Sequence, residues 1–228
     1  MNVLITSGGT IEKIDNVRSI SNMSTGRLGS IIAASFLANS AVKKVFYVCT
    51  KTTVLPQSNN LNNVEIIYAN SVADLEEAVK SIVLHNKIDI IIHSMAVSDY
   101  RVKAVTTLSA LRENSTSDVN KGGKISSELD DMVLLMERTP KVISLFQELS
   151  PASILVGFKL LDNAAHQTLI DKGFEVLTKN KCSFVLANDL KDITGDSHIG
   201  YLIDENKNFT KYTTKTEIAD AIVSATIL

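Results

Sequence analysis

The chain has little of what marks several protein classes. Its 228 residues include three prolines, two cysteines and no tryptophan, and 23 basic residues nearly balance 25 acidic ones. With a net charge of −2 and scattered lysines, it lacks the basic surface that binds nucleic acids or anionic membranes. It also lacks an apolar run long enough for a membrane span or a signal peptide. We therefore expect a cytoplasmic protein that binds neither membrane nor nucleic acid.

The two cysteines, Cys49 and Cys182, lie far apart in sequence, each beside a strand-like run. Reduced, buried thiols are the expectation for such residues in a reducing compartment. No histidine or cysteine shows metal-ligand spacing, so no metal site built from protein ligands is predicted. Hydrophobic residues make up 45% of the chain, enough for one large core, and we predict a single domain over residues 1–228.

Strand-like and helix-like segments alternate along the chain. β-branched apolar runs predict strands over residues 3–5, 44–50, 64–68, 88–92, 132–136, 154–158 and 184–187. Helical spacing predicts helices over residues 25–39, 71–86 (capped by Ser71), 164–178 and 214–226, with another starting at Pro140. This alternation is typical of an α/β, Rossmann-like fold: a mainly parallel sheet with helices on both faces. The sequence of residues 201–212 predicts a C-terminal β-hairpin. Residues 94–128 show little periodic hydrophobic pattern, and we predict an active-site loop and mobile flap there.

The first thirty residues resemble a cradle for an anion. Gly8 and Gly9 directly follow a buried strand, where the missing Cβ atoms let backbone N–H groups approach a phosphate. Ser24 or Thr25 can then cap the next helix, whose N-terminus offers further N–H donors.

Ligands of open parallel sheets bind beyond the carboxyl ends of the strands. The groups that follow apolar runs are Gly8-Gly9-Thr10, Met95 to Arg101, Lys124, Phe158-Lys159, and Asn188-Asp189 with Lys179 and Lys181 just upstream. Such residues suit a nucleotide, with ribose hydroxyls on Asp99, the base near Phe158, and phosphates on lysines and glycine N–H groups.

Two familiar nucleotide-binding patterns are absent. The first glycines lack the Gly-x-Gly-x-x-Gly spacing of dinucleotide-binding domains, and no P-loop occurs. The second strand ends in Cys49-Thr50-Lys51, without an acidic residue for a ribose diol. An NAD(P)- or flavin-dependent oxidoreductase and a non-catalytic nucleotide sensor remain as alternatives.

Several blocks together resemble one family. They are Ile5-Thr6-Ser7-Gly8-Gly9-Thr10, Ile14-Asp15-x-Val17-Arg18-x-Ile20-Ser21-Asn22-x-Ser24-x-Gly26, Ala96-Val97-Ser98-Asp99-Tyr100, Lys124-Ile125-Ser126-Ser127, Val156-Gly157-Phe158-Lys159-Leu160 and Leu186-Ala187-Asn188-Asp189. The chain is similar, over nearly its whole length, to phosphopantothenate–cysteine ligases.

The resemblance implies a two-step ligation in coenzyme A biosynthesis. The carboxylate of 4'-phosphopantothenate attacks a nucleoside triphosphate, pyrophosphate leaves, and the amine of L-cysteine then displaces the nucleoside monophosphate. By the same resemblance, Asn22 and Lys124 are catalytic and Asn22 and Arg18 bind substrate. The nucleotide would contact Gly8, Gly9, Ser24, Ala96, Asp99, Lys124, Phe158 and Lys179, with Lys181 in reserve for Lys179.

The chain departs from the bacterial pattern of the family at two places. Lys124-Ile125-Ser126-Ser127 stands where bacterial members have Lys-x-Lys-Lys, and Phe158 is followed by Lys159-Leu160. Both departures are typical of eukaryotic members, which use ATP where bacterial members use CTP. CTP is the favoured nucleotide here, with ATP as the alternative, and Mg²⁺ would be held mainly by the nucleotide phosphates. The resemblance also implies a homodimer and a separate decarboxylase.

Each site residue has a plainer interpretation from sequence alone. Asn22 could cap a helix, Asp99 could form a surface ion pair, and Phe158 could pack in the core. Lys124 could be a solvated charge. His93, which follows a strand without a visible partner, is interpreted as a structural histidine.

Overall fold

The computed structural model describes residues 1–58, 60–113, 123–195 and 197–227. A central sheet is formed by β1 (Asn2–Ser7), β4 (Lys44–Cys49), β5 (Val64–Tyr68), β6 (Ile90–His93), β9 (Ile154–Leu161), β10 (Phe184–Thr194), β11 (Ser197–Asp204) and β12 (Phe209–Thr214). Two separate pairs consist of β2 (Ile11–Lys13) with β3 (Ser19–Ser21), and β7 (Tyr100–Thr106) with β8 (Val133–Arg138). The helices are α1 (Arg27–Ala38), α2 (Val72–His85), α3 (Leu108–Arg112), α4 (Val142–Leu149), α5 (His166–Asn180) and α6 (Lys215–Thr226), and a 3₁₀ turn covers Leu61–Asn63.

The central sheet has the strand order β12-β11-β10-β9-β6-β1-β4-β5. The strands from β10 to β5 are parallel, and β11 and β12 add an antiparallel hairpin at one edge. The predicted Rossmann-like, mainly parallel sheet with a C-terminal β-hairpin is confirmed.

Helices cover both faces of the sheet, as predicted, and enclose one core on each side. Helices α1 and α6 pack on one face through apolar side chains that include Phe36 and Ile222. Helices α2, α4 and α5 pack on the other face, with Leu75 and Phe146 among the buried residues. The strands between these two layers are apolar on both sides, which explains the continuous hydrophobic run at Ile90–Ile92. In the described part of the chain, no helix is long and apolar enough to cross a lipid bilayer.

The N-termini of α1 and α2 are formed in different ways. The Ser71 hydroxyl accepts the Asp74 N–H, and the Asp74 carboxylate accepts the Ser71 N–H, so the predicted cap of α2 is confirmed as a capping box. The predicted cap of α1 is met only in part. Gly26, in a left-handed conformation, occupies the N-cap position instead of Ser24 or Thr25. The Thr25 hydroxyl nevertheless accepts the N–H of Arg27, the first residue of the helix, at 3.4 Å.

The described residues between 94 and 113 contain more secondary structure than predicted. Strand β7 and helix α3 lie within this range, and β7 pairs with β8 to form a ribbon outside the central sheet. This ribbon buries only part of its side chains, so its strands carry a weak hydrophobic pattern. The helix expected from Pro140 begins at Val142, and β10 extends seven residues beyond the predicted end to Thr194. Residues 114–122 of the predicted flap, including Gly122, lie outside the described residues.

Candidate functional site

The strand order reverses at the carboxyl ends of β1 and β6, and we call the space beyond these strand ends the crevice. From β1 the chain proceeds outward to β4 and β5, and it then returns to β6 on the other side of β1. Ligands of open α/β sheets bind at such a switch point. The loops at this point carry Gly8 to Thr10 after β1 and Ser94 to Asp99 after β6.

Hydrogen bonds join these two loops into one platform. The Ala96 N–H donates to the Gly8 carbonyl at 2.8 Å, and the Thr10 N–H donates to the Ala96 carbonyl at 3.1 Å. The buried Thr10 hydroxyl donates to the Ser98 hydroxyl at 2.9 Å and accepts the Ser98 N–H at 2.8 Å. The predicted residues Gly8, Gly9 and Ala96 therefore lie together. Thr10 and Ser98 fix this geometry, although their residue types alone do not single them out as site residues.

Asn22 lies directly on this platform. Its side-chain amide donates to the Ala96 carbonyl at 2.9 Å, and its backbone N–H donates to the Thr10 carbonyl at 3.3 Å. A Cβ atom at Gly9 would lie 2.3 Å from the Asn22 carbonyl oxygen, so this approach requires glycine. The amide has a second N–H, for which the described residues supply no acceptor. Asn22 is exposed, so this N–H can reach a ligand in the crevice.

The hairpin of β2 and β3 carries Asn22 to the platform. Its turn is closed by Asp15, whose buried carboxylate accepts the N–H groups of Val17 and Arg18 at 2.8 and 2.7 Å. The Arg18 guanidinium also donates to this carboxylate, at 3.0 Å. Asp15 was not among the predicted site residues. The signal for it is the Asp-x-Val-Arg spacing, which allows one carboxylate to accept N–H groups two and three residues later.

The described end of the flap, residues 123–128, contacts this hairpin. Ile125 is 4% exposed, and its N–H donates to the Asp15 carboxylate at 3.1 Å. The Arg18 guanidinium reaches the Ile125 carbonyl at 3.4 Å. Lys124 immediately precedes this anchored residue and is exposed. The structure thus links the flap to the hairpin that carries Arg18 and Asn22.

The anion cradle combines Gly8 with the start of α1. Gly8 has a φ of +90°, and a Cβ atom there would lie 2.1 Å from the Thr53 hydroxyl oxygen. Ser24 is half-buried in the loop before α1, and its N–H donates to the Asn22 carbonyl at 2.9 Å. Because α1 follows this loop directly, its N-terminal end lies at the same edge of the sheet. A negatively charged group would be favoured there.

Asp99 and Phe158 flank the crevice. Asp99 begins the β7–β8 ribbon, and its exposed carboxylate forms an ion pair with Lys141. Phe158 is half-buried on β9, next to β6, and its ring is on the side of the sheet covered by α1 and α6. A ribose contact by Asp99 would therefore have to compete with Lys141.

Lys179 and Lys181 lie at the opposite edge of the sheet. Helix α5 starts after the carboxyl end of β9 and returns to the amino end of β10. Lys179 is in its last turn and Lys181 is its C-cap, with a φ of 51°. Within one chain, the structure does not bring these lysines to the crevice.

His93 is enclosed in the core below the crevice. Its Nδ1 atom is hydrogen-bonded to the Thr6 hydroxyl at 2.8 Å, and its ring packs against Phe146 at a centroid distance of 5.0 Å. Burial lowers the pKa of His93 to about 4, so the ring is neutral at pH 7. This geometry agrees with a structural histidine.

Stability is expected to decrease as the pH falls from 6.5 towards 4. His93 and His198 both have a pKa of about 4 in the folded protein because burial disfavours the charged ring, and Lys215 also lowers the pKa of His198. The unfolded chain takes up these protons first, so the free energy of unfolding at pH 5 should be about 2 kcal/mol smaller per histidine than at pH 7. Urea unfolding at both pH values measures this loss. His93→Gln should remove its share, and an unchanged loss in that variant would contradict the assignment.

Cys49 and Cys182 are buried free thiols, and burial raises their pKa values to about 11 and about 12. Across the described ranges, no group of three or more histidine, cysteine, aspartate or glutamate side chains is placed to hold a metal ion.

Comparison with known proteins identifies the family. The domain described as the DNA/pantothenate metabolism flavoprotein C-terminal domain matches residues 1–227. The coenzyme A biosynthesis bifunctional protein CoaBC of Methanocaldococcus jannaschii is 33% identical over 224 residues, which are 97% of this chain and 49% of that protein. The corresponding protein of Thermococcus kodakarensis is 32% identical over 96% of this chain and 49% of its own length. The chain thus spans about half the length of these curated relatives.

The fold is shared with solved structures. The DNA/pantothenate metabolism flavoprotein from Streptococcus pneumoniae aligns with a TM-score of 0.87 and 37% identity, covering 99% of this chain and 97% of that one. A Cab2 H337A mutant in complex with phosphopantothenate-cysteine aligns with a TM-score of 0.73, covering 99% of this chain and 85% of that one, and at 19% identity it shows the fold alone. With a family match over almost the whole chain, this protein belongs to the DNA/pantothenate metabolism flavoprotein C-terminal domain family.

Proposed function

We propose that this chain is a phosphopantothenate–cysteine ligase, which joins 4'-phosphopantothenate to L-cysteine at the expense of a nucleoside triphosphate. The observation that carries the proposal is the orientation of the Asn22 amide. One of its N–H groups donates to the Ala96 carbonyl, and the described residues supply no acceptor for the other. This donor lies at the crevice of a chain whose relatives are named for coenzyme A biosynthesis. These names favour a ligase over the oxidoreductase alternative.

The first step activates the carboxylate. A carboxylate oxygen of 4'-phosphopantothenate attacks the α-phosphorus, a new P–O bond forms, and pyrophosphate leaves with the electrons of the broken P–O bond. Both reactants are anions, so the site has to offset their repulsion. The backbone N–H groups around Gly8 and Gly9, the loop of Ser24 and the N-terminal end of α1 are the groups suited to bind phosphate here. Lys124 would add a positive charge from the flap.

The second step forms the amide bond. The amine of cysteine attacks the acyl carbon, a C–N bond forms, and the carbonyl oxygen becomes negatively charged. The C–O bond to the nucleoside monophosphate then breaks, its electrons leave with the monophosphate, and the nitrogen loses a proton to water. The free N–H of Asn22 would donate to this oxygen as its charge develops. A preorganised donor of this kind typically accelerates acyl transfer by about 10²–10³-fold. Arg18, on the same hairpin, would bind the substrate.

The nucleotide would lie between Asp99 and Phe158, with CTP favoured and ATP as the alternative. Mg²⁺ would be held mainly by the oxygen atoms of the nucleotide phosphates, which are ligands that it prefers. When bound, the ion would neutralise charge on the phosphates. The residues of the chain would hold the phosphates in the orientation that the reaction needs.

We also propose that the chain forms a homodimer. The β7–β8 ribbon supports the dimer, since Tyr100 and Met136, which lie on nearby residue pairs of this ribbon, are 49% and 36% exposed. Sedimentation equilibrium of the purified protein tests the assembly. A monomer at micromolar concentration would refute it.

Pyrophosphate release tests the proposed function directly. Purified protein with Mg²⁺, 4'-phosphopantothenate and cysteine should release pyrophosphate from CTP, and more slowly from ATP. Release should require 4'-phosphopantothenate, and omitting the acid is the matched control. Faster release from ATP would reverse the nucleotide assignment, whereas no release from either nucleotide would refute the ligase.

A further inference from the structure

Asp15 makes an unusual set of contacts for a carboxylate in a surface hairpin. Its side chain is fully buried, and both oxygen atoms are used. One oxygen accepts the N–H groups of Val17 and Arg18, within the hairpin turn. The other accepts the Ile125 N–H, 110 residues away in sequence, and a guanidinium N–H of Arg18. Asp15 therefore joins the turn of the β2–β3 hairpin to the described end of the flap.

The electrostatics favour a permanently charged carboxylate at this position. Burial alone would raise the pKa of Asp15, but three backbone N–H donors and the Arg18 charge outweigh that effect and hold the pKa below its usual range. The negative charge is matched by Arg18. Lys124 is thus not needed to neutralise Asp15, and its charge remains available to a ligand.

The contacts locate Asp15 between the three groups that the proposed chemistry uses. Arg18 is bound to its carboxylate, and Asn22 follows at the end of β3, which pairs with β2 on the other side of the turn. Lys124 precedes Ile125, whose N–H and carbonyl are both held, by Asp15 and Arg18 respectively. A shift of the flap by about 1 Å would be enough to impair catalysis.

Resting on the proposed function, we propose that Asp15 is a positioning residue that holds the flap lysine, Lys124, against the hairpin that carries Arg18 and Asn22. It touches neither substrate nor nucleotide. It acts by fixing the backbone of Ile125, so that the positive charge of Lys124 is presented at the crevice when the nucleotide is bound.

Asp15→Asn separates positioning from simple loss of folding. An amide presents one oxygen and one NH₂ group, so it can accept hydrogen bonds from the hairpin turn but not also from Ile125 and Arg18. The hairpin turn is preserved while the flap contact is lost. We expect the Ile125 amide to exchange with deuterium at least tenfold faster, while amides of β1 and β6 exchange at the parental rate.

Glu12→Gln is the matched control. Glu12 is the other buried carboxylate of this hairpin, 7% exposed, and it accepts the Val72 N–H at 2.8 Å, which ties β2 to α2 and not to the flap. The same carboxylate-to-amide change at Glu12 should leave exchange at Ile125 unchanged.

A double-variant cycle with Lys124→Ala tests the functional half of the proposal. If Asp15 acts through Lys124, Asp15→Asn should lower kcat about tenfold or more in the parental chain but less than twofold in the Lys124→Ala background. Equal losses in both backgrounds, or unchanged exchange at Ile125, would overturn the proposal. The exchange measurement needs no turnover, so failure of the ligase assay would not conceal its result. Should Asp15→Asn not fold, Asp15→Glu, whose longer side chain cannot keep all four contacts, is subjected to the same measurements and the same criteria.

Discussion

Asn22→Ala is expected to lower the rate of the complete ligation about 10²–10³-fold while the acyl-nucleotide still forms. The Asn22 amide holds one N–H on the Ala96 carbonyl at 2.9 Å, which orients the side chain before substrate binds. The other N–H would meet the acyl oxygen only as negative charge develops on it. The variant removes this donor without removing any group assigned to the first step. Rapid quenching with radiolabelled nucleotide should show the acyl-nucleotide accumulating.

The same substitution also removes the link to Ala96. Asn22→Asp keeps the shape of the side chain but has no N–H at neutral pH, so it loses both the donor and this link and should be as slow as the alanine variant. Ser19→Ala, at an exposed position of β3 on the same hairpin, should ligate at the parental rate. If Asn22→Ala turned over normally, or if the acyl-nucleotide failed to form, the role given to Asn22 would be incorrect.

The central sheet could be predicted from sequence because burial on both faces leaves a strong local pattern. Ile90, Ile91 and Ile92 are all fully buried, and a run of this kind has few other interpretations. The cap of α2 was equally local, since Ser71 and Asp74 are three residues apart. Elements whose stability depends on neighbouring residues in sequence are the ones that sequence patterns describe well.

The two small strand pairs lack such a pattern. All three residues of β3 are exposed, and β7 buries only its last two residues completely. Their pairing depends on contacts with distant segments, so neither a helical nor an alternating period appears. For the same reason, the contact between Asp15 and Ile125 spans 110 residues and cannot be predicted from either segment alone.

The position of Lys179 shows a different limit. Lys179 and Lys181 stand shortly before a strand, and in a parallel sheet this location corresponds to the amino edge rather than the carboxyl edge. The resemblance to a family supplied these residues as phosphate ligands, whereas the connection between α5 and β10 decides where they lie. Residues that follow strands, such as Gly8, Gly9 and Ala96, were brought together as expected.

Gly9→Ala is expected to slow the ligation about 10²-fold, although the sheet still folds. The added Cβ atom would lie 2.3 Å from the Asn22 carbonyl oxygen and 3.1 Å from its carbonyl carbon. These are backbone atoms that cannot rotate away, so the loop carrying Asn22 has to move. Because the Asn22 amide is oriented by Ala96, which is bridged to Gly9, the movement should misplace the donor N–H. Steady-state kinetics together with urea unfolding measure the two consequences separately.

Gly200→Ala is the control for Gly9→Ala, because its Cβ atom would meet the end of the Ile218 side chain at 3.0 Å, which can rotate. It should cost some stability and leave the ligation rate unchanged. If Gly9 acts by positioning Asn22, the double variant Gly9→Ala, Asn22→Ala should be no slower than Asn22→Ala alone, since a displaced donor and a missing donor have the same effect. Two results would contradict this role of Gly9: a double variant whose loss of rate is the product of the two single losses, or a Gly9→Ala variant that ligates at the parental rate. Either result would mean that the close approach of the two loops does not control the position of the Asn22 N–H.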